Sequence, residues 1–160
     1  MIRVLLVCTG NICRSPTAEA VLRAHLRREG LDDRVEVDSA GTGGWHVGDA
    51  PTPMAQELAH GKGYDMTDLR ARQVERADFD RFDLILALDR GHLAALERLQ
   101  RAESRAALAL LRSYADDHPI EVPDPYYGGR RDSQYALELI EEAMPGLLSA
   151  LADWDPGRAE

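Results

Sequence analysis

Cysteine is scarce in this chain, with two among 160 residues, and two cannot build a disulfide framework. In a reducing compartment both are expected to be thiols, kept either as small hydrophobes or for their chemistry. Long apolar runs are missing too. The longest, such as Ala106 to Leu111, fall well short of the roughly 18 residues that suggest a bilayer span, and Met1 leads straight into a short strand-like run with no cleavable leader. A cytoplasmic protein without a membrane partner is the expectation. Positive charge is in deficit, with 19 basic against 28 acidic residues, a net charge of -9 and a pI near 5.0. That balance disfavours nucleic acid and anionic lipid as partners. The histidines, His25, His46, His60, His92 and His118, show no His-x3-His spacing, and no Cys-x2-Cys pair occurs, so no metal site is expected and the imidazoles read as scattered surface or half-buried groups. Neither a Gly-x4-Gly-Lys-Ser/Thr loop nor a dinucleotide glycine fingerprint is present, which removes those nucleotide-binding modes and leaves no cofactor to expect. There is no internal repeat and no low-complexity segment.

What remains is an ordinary globular composition, 44% hydrophobic and 29% charged, at a length that suits one domain. Residues 1–155 are expected to form it, with 156–160 as a frayed tail. Ile2, Val4, Leu5, Leu6 and Val7 have the β-branched-rich pattern of a strand buried on both faces of a parallel sheet, ending at Cys8. Ser15-Pro16 resembles a helix cap followed by proline in the first turn, after which Ala18, Val21, Leu22 and Leu26 recur at helical spacing until Gly30. Val35 to Ser39 reads as a second strand, Ala40 to Trp45 as a glycine-rich loop, and Thr52-Pro53 as the cap of a helix ending near Gly61. Leu84 to Leu88 predicts a third strand, the segment around Leu93, Leu96 and Leu99 a helix, and Ala106 to Leu111 a fourth strand. A polar, proline-rich loop from Pro119 to Gly129 precedes an amphipathic helical segment through Leu137, Ile140, Met144, Leu147 and Leu151, kinked at Pro145-Gly146. Strands alternating with helices predict an α/β fold, a single three-layer domain with a mostly parallel sheet of roughly four strands flanked by helices. The ligand is then expected beyond the carboxyl ends of the strands.

The loop between the first strand and first helix, Cys8-Thr9-Gly10-Asn11-Ile12-Cys13-Arg14-Ser15, carries the chemistry. A loop running into a helix N-terminus turns successive N–H groups inward, a nest that suits phosphate oxygens. Gly10 and Asn11 tolerate the left-handed backbone such a cradle needs. Arg14 can offer a planar two-donor fork to two phosphate oxygens. The helix N-terminus and that cation both favour the thiolate of Cys8, and Ser15 is the nearest hydroxyl able to donate to it. Cys8 is thus a candidate nucleophile in an oxyanion-binding loop, and Cys8 with Cys13 a candidate redox pair.

Val7-Cys8-Thr9-Gly10-Asn11-Ile12-Cys13-Arg14-Ser15-Pro16 closely resembles the phosphate-binding loop of low-molecular-weight protein tyrosine phosphatases. Pro123-Asp124-Pro125-Tyr126-Tyr127-Gly128 resembles their general-acid loop, and Asp38 to Thr42, Trp45 to Gly48 and Ala71-Arg72-Gln73 match in order. The resemblance implies hydrolysis of phosphotyrosine on protein substrates. Cys8 would attack phosphorus, Arg14 and the amides of Thr9, Gly10, Asn11, Ile12 and Cys13 would hold the oxygens, and Asp124 would first protonate the leaving group and then activate water. Set among prolines and tyrosines, the Asp124 carboxyl is expected to be partly desolvated. Asn11 would hold the loop's shape, braced by Ser39, and Ile12, Trp45, Tyr126 and Tyr127 would wall the substrate ring. One departure stands out: where the family places a histidine that braces the loop asparagine, this chain offers Leu69 or Asp68. Three rival functions fit the residues less well. Arsenate reductases on this scaffold need further cysteines, and none follows Cys13; arginine phosphatases carry threonine where this loop has Ile12; a silent phosphate-binding module would lack the nucleophile, the arginine or the acid.

Overall fold

The fold, taken from a computed structural model that describes residues 1–155, grows outward from its first strand. The expected tail at 156–160 lies outside the described residues. β1, Ile2–Cys8, is buried at every position except Arg3 because it runs through the middle of the sheet. It pairs in parallel with β2 (Val35–Gly41) on one side and β3 (Leu84–Ala87) on the other, and β4 (Ala107–Leu110) completes the order β2-β1-β3-β4. All three pairings are parallel, so every connection crosses a face of the sheet through a helix, and the central strands β1 and β3 are buried on both sides apart from Arg3.

Strand alternation divides the core. Val4, Leu6 and Cys8 face α1 (Arg14–Arg28) and the C-terminal helices α5 (Arg130–Glu142) and α6 (Met144–Ala152), packing with Val21, Leu22, Leu26, Ile140 and Leu147. Leu5 and Val7 face the other way, with Ile85 and Ala87, onto Phe79 and Phe82 around the short α3 (Asp78–Arg81) and onto Leu96 of α4 (Arg90–Leu99). This is one α/β domain of three layers. α2 (Pro53–Gly61) begins as the sequence suggests, with the Thr52 hydroxyl accepting from the Ala55 amide and Pro53 in the first turn.

Local differences from the sequence reading have local causes. α1 starts at Arg14, and Ser15 does not cap it, because its hydroxyl is engaged with Cys8 and Asn11 instead. Its C-terminus closes at Gly30 (φ 73), with Gly30 N–H on the Arg27 carbonyl and Leu31 N–H on that of Leu26, the paired bonds of a Schellman cap. The expected kink at Pro145-Gly146 is a full break at Ala143: Pro145 has no N–H to donate to the Glu141 carbonyl and its ring crowds that turn, so α5 ends and α6 restarts with Pro145 in its first turn. α3 and a 3-10 turn at Leu111–Tyr114 were not anticipated; each is four residues long, too short to carry a period. No helix among the described residues is long and apolar enough to cross a membrane.

Candidate active site

The loop after β1 is fixed from outside through its carbonyls. Those of Cys8 and Thr9 accept from the amides of Thr42 and Gly43, at 2.8 and 3.0 Å, and that of Ile12 from Thr52 at 2.9 Å. The amides of Gly10, Asn11, Ile12 and Cys13 find no acceptor among the described residues. A loop with its carbonyls tied outward and its N–H groups uncommitted is electrically suited to an anion. Asn11 makes the turn at φ 58, the one non-glycine with positive φ among the described residues. Gly10, in contrast to the expectation, does not adopt a left-handed backbone; a Cβ there would sit 3.0 Å from Cδ2 of His46, so the glycine is explained by close approach.

The Asn11 side chain is buried and bonded through both its nitrogen and its oxygen. Its amide nitrogen donates to Ser15 Oγ at 2.8 Å and Ser39 Oγ at 3.0 Å, and its oxygen accepts from the Arg72 backbone N–H at 3.0 Å. That last bond stands in the place left by the missing histidine: Leu69 is packed against the core and Asp68 is exposed. Arg72 in turn is anchored by Asp38 and Asp78, so ion pairs hold the segment whose main chain braces the loop. Ser39 passes its own proton to the buried Glu19 at 2.7 Å. Burial pushes the Glu19 carboxyl up from its ordinary range, against the opposing pull of Ser39 and Arg23.

Cys8 Sγ lies 2.9 Å from Ser15 Oγ. Ser15 accepts from Asn11, and its one proton has two acceptors in reach, the Ala40 carbonyl at 3.4 Å and the closer Cys8 Sγ, so it can be given to a thiolate at position 8. Arg14, 3% exposed, has five N–H donors to place. Nη1 serves the Asp89 carboxylate and the Val122 carbonyl, both at 2.8 Å, and Nη2 reaches His92 Nε2 at 3.3 Å. The remaining Nε–H and one Nη2–H form an edge for two oxygens of a tetrahedral anion. Asp124 Oδ2 stands 3.6 Å from Nη2, while its Oδ1 accepts from the Tyr126 amide. The expected desolvation of Asp124 is not found: its side chain is 49% exposed, because the loop leaves it at the mouth of the cleft.

That cleft, about 350 Å³, is lined by Cys8 and Arg14 at the bottom and by Asp124, Trp45, His46, Tyr126 and Tyr127 towards the mouth. Trp45 and Tyr127 are exposed and Ile12 is buried, so the walls run from an apolar side chain at depth to an open aromatic edge. Tyr126 meets Tyr127 edge to face and faces His46 across 6.3 Å. Cys13 points to Thr52 at 3.5 Å, and burial pushes its thiol up.

Two side chains escaped the sequence reading. Asp89 caps α4 by accepting from the His92 amide and holds Arg14. Although burial opposes its charge, that amide and the Arg14 guanidinium hold its carboxyl below the usual range. His92, read above as an incidental imidazole, is buried and lies 2.7 Å from Thr9 Oγ1. The available signal was positional, since Asp89 and His92 follow β3, the neighbour of β1, at the carboxyl edge of a parallel sheet.

The family model described as low molecular weight phosphotyrosine protein phosphatase matches residues 3–155. A low molecular weight protein-tyrosine-phosphatase of Streptomyces coelicolor is 50% identical over 98% of both chains. A crystal structure of a protein tyrosine phosphatase from Entamoeba histolytica superposes with a TM-score of 0.91 at 31% identity, covering 96% of this chain and 98% of that one. A drosophila arginine phosphatase superposes at 0.89 with 33% identity, covering 96% and 100%.

Proposed function

Because the chain belongs to the low-molecular-weight protein-tyrosine phosphatase family, we propose that Cys8, Arg14 and Asp124 are the residues with which it hydrolyses phosphotyrosine. The observation that carries this reading is the meeting of a buried Cys8 with the unspent edge of the Arg14 fork and the carboxylate of Asp124 in one aromatic cleft. Cys8 thiolate, fed a hydrogen bond by Ser15, attacks phosphorus in line. Arg14 and the amides from Thr9 to Cys13 hold the three equatorial oxygens as negative charge redistributes. Protonated Asp124 gives its proton to the departing phenolate, leaving tyrosine and a cysteinyl phosphate. The resulting Asp124 carboxylate takes a proton from water as that water attacks phosphorus, which frees phosphate and regenerates the thiolate.

Half exposed at the mouth of the cleft, Asp124 is reachable by the phenolic oxygen of a ring that enters between Trp45 and the two tyrosines. Residues 1–155 act as one phosphatase domain on phosphotyrosine-bearing proteins. The low cysteine count suits a reducing compartment such as the cytoplasm, and Cys8 with Cys13 in the same loop remains a candidate pair for reversible oxidation by peroxide.

The test is a comparison of phosphotyrosine, phosphoarginine and phosphoserine peptides at equal concentration. Ile12 offers no hydroxyl to a guanidinium, so phosphotyrosine should be preferred. A preference for phosphoarginine would transfer the chain to the chemistry of its drosophila relative. Cys8→Ser should abolish turnover and keep phosphate binding; retained turnover would falsify the nucleophile.

A further inference from the structure

We propose that His92 is a positioning residue of the active site: a neutral imidazole, protonated on Nδ1, whose bare Nε2 holds the Arg14 fork and the Thr9 hydroxyl together. The neighbours that can only donate select the tautomer. Arg14 Nη2 lies 3.3 Å from Nε2, and a guanidinium has protons but no acceptor, so Nε2 must present its lone pair. Thr9 Oγ1, 2.7 Å from the same nitrogen, must then be the donor. On the far side of the ring, Nδ1 lies 3.2 Å from Asp89 Oδ1, too far off axis for a hydrogen bond yet close enough to feel the charge. A carboxylate repels a lone pair and attracts a proton, so both sides of the ring select the same tautomer. Burial, reinforced by Arg14, lowers the His92 pKa to about 4 against Asp89, Asp124 and Glu121, which keeps the ring neutral at working pH.

The consequence lies in the count of Arg14 donors. With Nη1 spent on Asp89 and Val122, the bond to His92 adds a third anchor to the planar guanidinium and takes up one Nη2 proton, which leaves the Nε–Nη2 edge directed at the phosphate site. The Thr9 hydroxyl, committed to His92, is turned from the anion, leaving Thr9 to serve through its main chain. A cationic or apolar side chain at position 92 would remove the acceptor while leaving the loop sequence intact.

This proposal rests on the phosphatase reading only in its kinetic arm. NMR of the imidazole nitrogens in the intact protein at neutral pH should find the proton on Nδ1 and Nε2 bare; a proton on Nε2 overturns the proposal whether or not the protein turns over substrate. His92→Leu should lower kcat/KM for phosphotyrosine by roughly 10- to 100-fold, the scale of a misplaced catalytic group, and weaken inhibition by inorganic phosphate in parallel. His92→Gln, whose Oε1 can accept near the position of Nε2, should recover most of both. Equal damage in the Gln and Leu variants, or unchanged phosphate inhibition in His92→Leu, refutes the positioning role. If the wild type hydrolyses none of the peptides, the phosphatase reading fails while the nitrogen assignment still decides this one.

Discussion

At Asn11 one side chain makes three hydrogen bonds to three separate segments, and the residue also tolerates φ 58, so the loop's shape converges on a side chain that stays out of the reaction. Asn11→Ala removes all three bonds and strains the backbone. Chemical denaturation should register a loss of about 1–3 kcal/mol, the scale of buried groups left unpaired, and kcat should fall more than KM rises. Asp124 fails differently. Asp124→Asn should slow phosphotyrosine hydrolysis by roughly 10²–10⁴-fold while an activated phenyl phosphate, whose leaving group needs no proton, loses far less. Equal losses on both substrates would take Asp124 out of the acid role.

At the scale of the element, the C-terminal end of β2 acts as a wall behind the loop. A Cβ on Gly41 would stand 2.7 Å from the Thr9 carbonyl oxygen and 3.2 Å from the Asn11 nitrogen, both main-chain atoms unable to swing aside. Gly41→Ala should therefore cost about 1–3 kcal/mol as overpacking and reduce turnover, although no reacting group is changed. A variant with unaltered melting temperature and kcat would show that the strand has slack. Much of this architecture was legible beforehand: β1, β2, β3 and β4, the Thr52-Pro53 start of α2 and the Gly30 stop each carry a composition or punctuation signal. The opening of α1 was misread because Ser15-Pro16 looks like a cap in sequence, whereas the thiol and Asn11 take the hydroxyl in space. The Arg72 amide, Asp89 and His92 were illegible as site residues for a common reason. They reach the loop across 61, 75 and 83 residues of chain, and no local pattern encodes such contacts.

Across the whole molecule, the buried ionisable groups set a pH limit. The folded protein keeps His92 neutral down to about 4, whereas an unfolded chain protonates histidine near 6.5, so between those values unfolding takes up a proton. The neutral ring's contribution is complete above 6.5 and is lost as pH falls towards about 4, a loss on the order of 3 kcal/mol at its limit. Glu19, raised by burial, works the other way and softens the decline. Urea midpoints should therefore fall from neutral pH to pH values near 5, and His92→Gln should flatten that slope; an identical slope in the variant would remove His92 as its source. All of these contacts serve one sulfur atom at the end of β1. The most direct measurement is to mix Asp124→Asn protein with an activated aryl phosphate, quench it in acid during turnover and map the phosphoryl group by mass spectrometry. A single adduct on the peptide holding Cys8, absent in Cys8→Ser, is the predicted result, and steady turnover with the phosphoryl group on another residue or on none would contradict it.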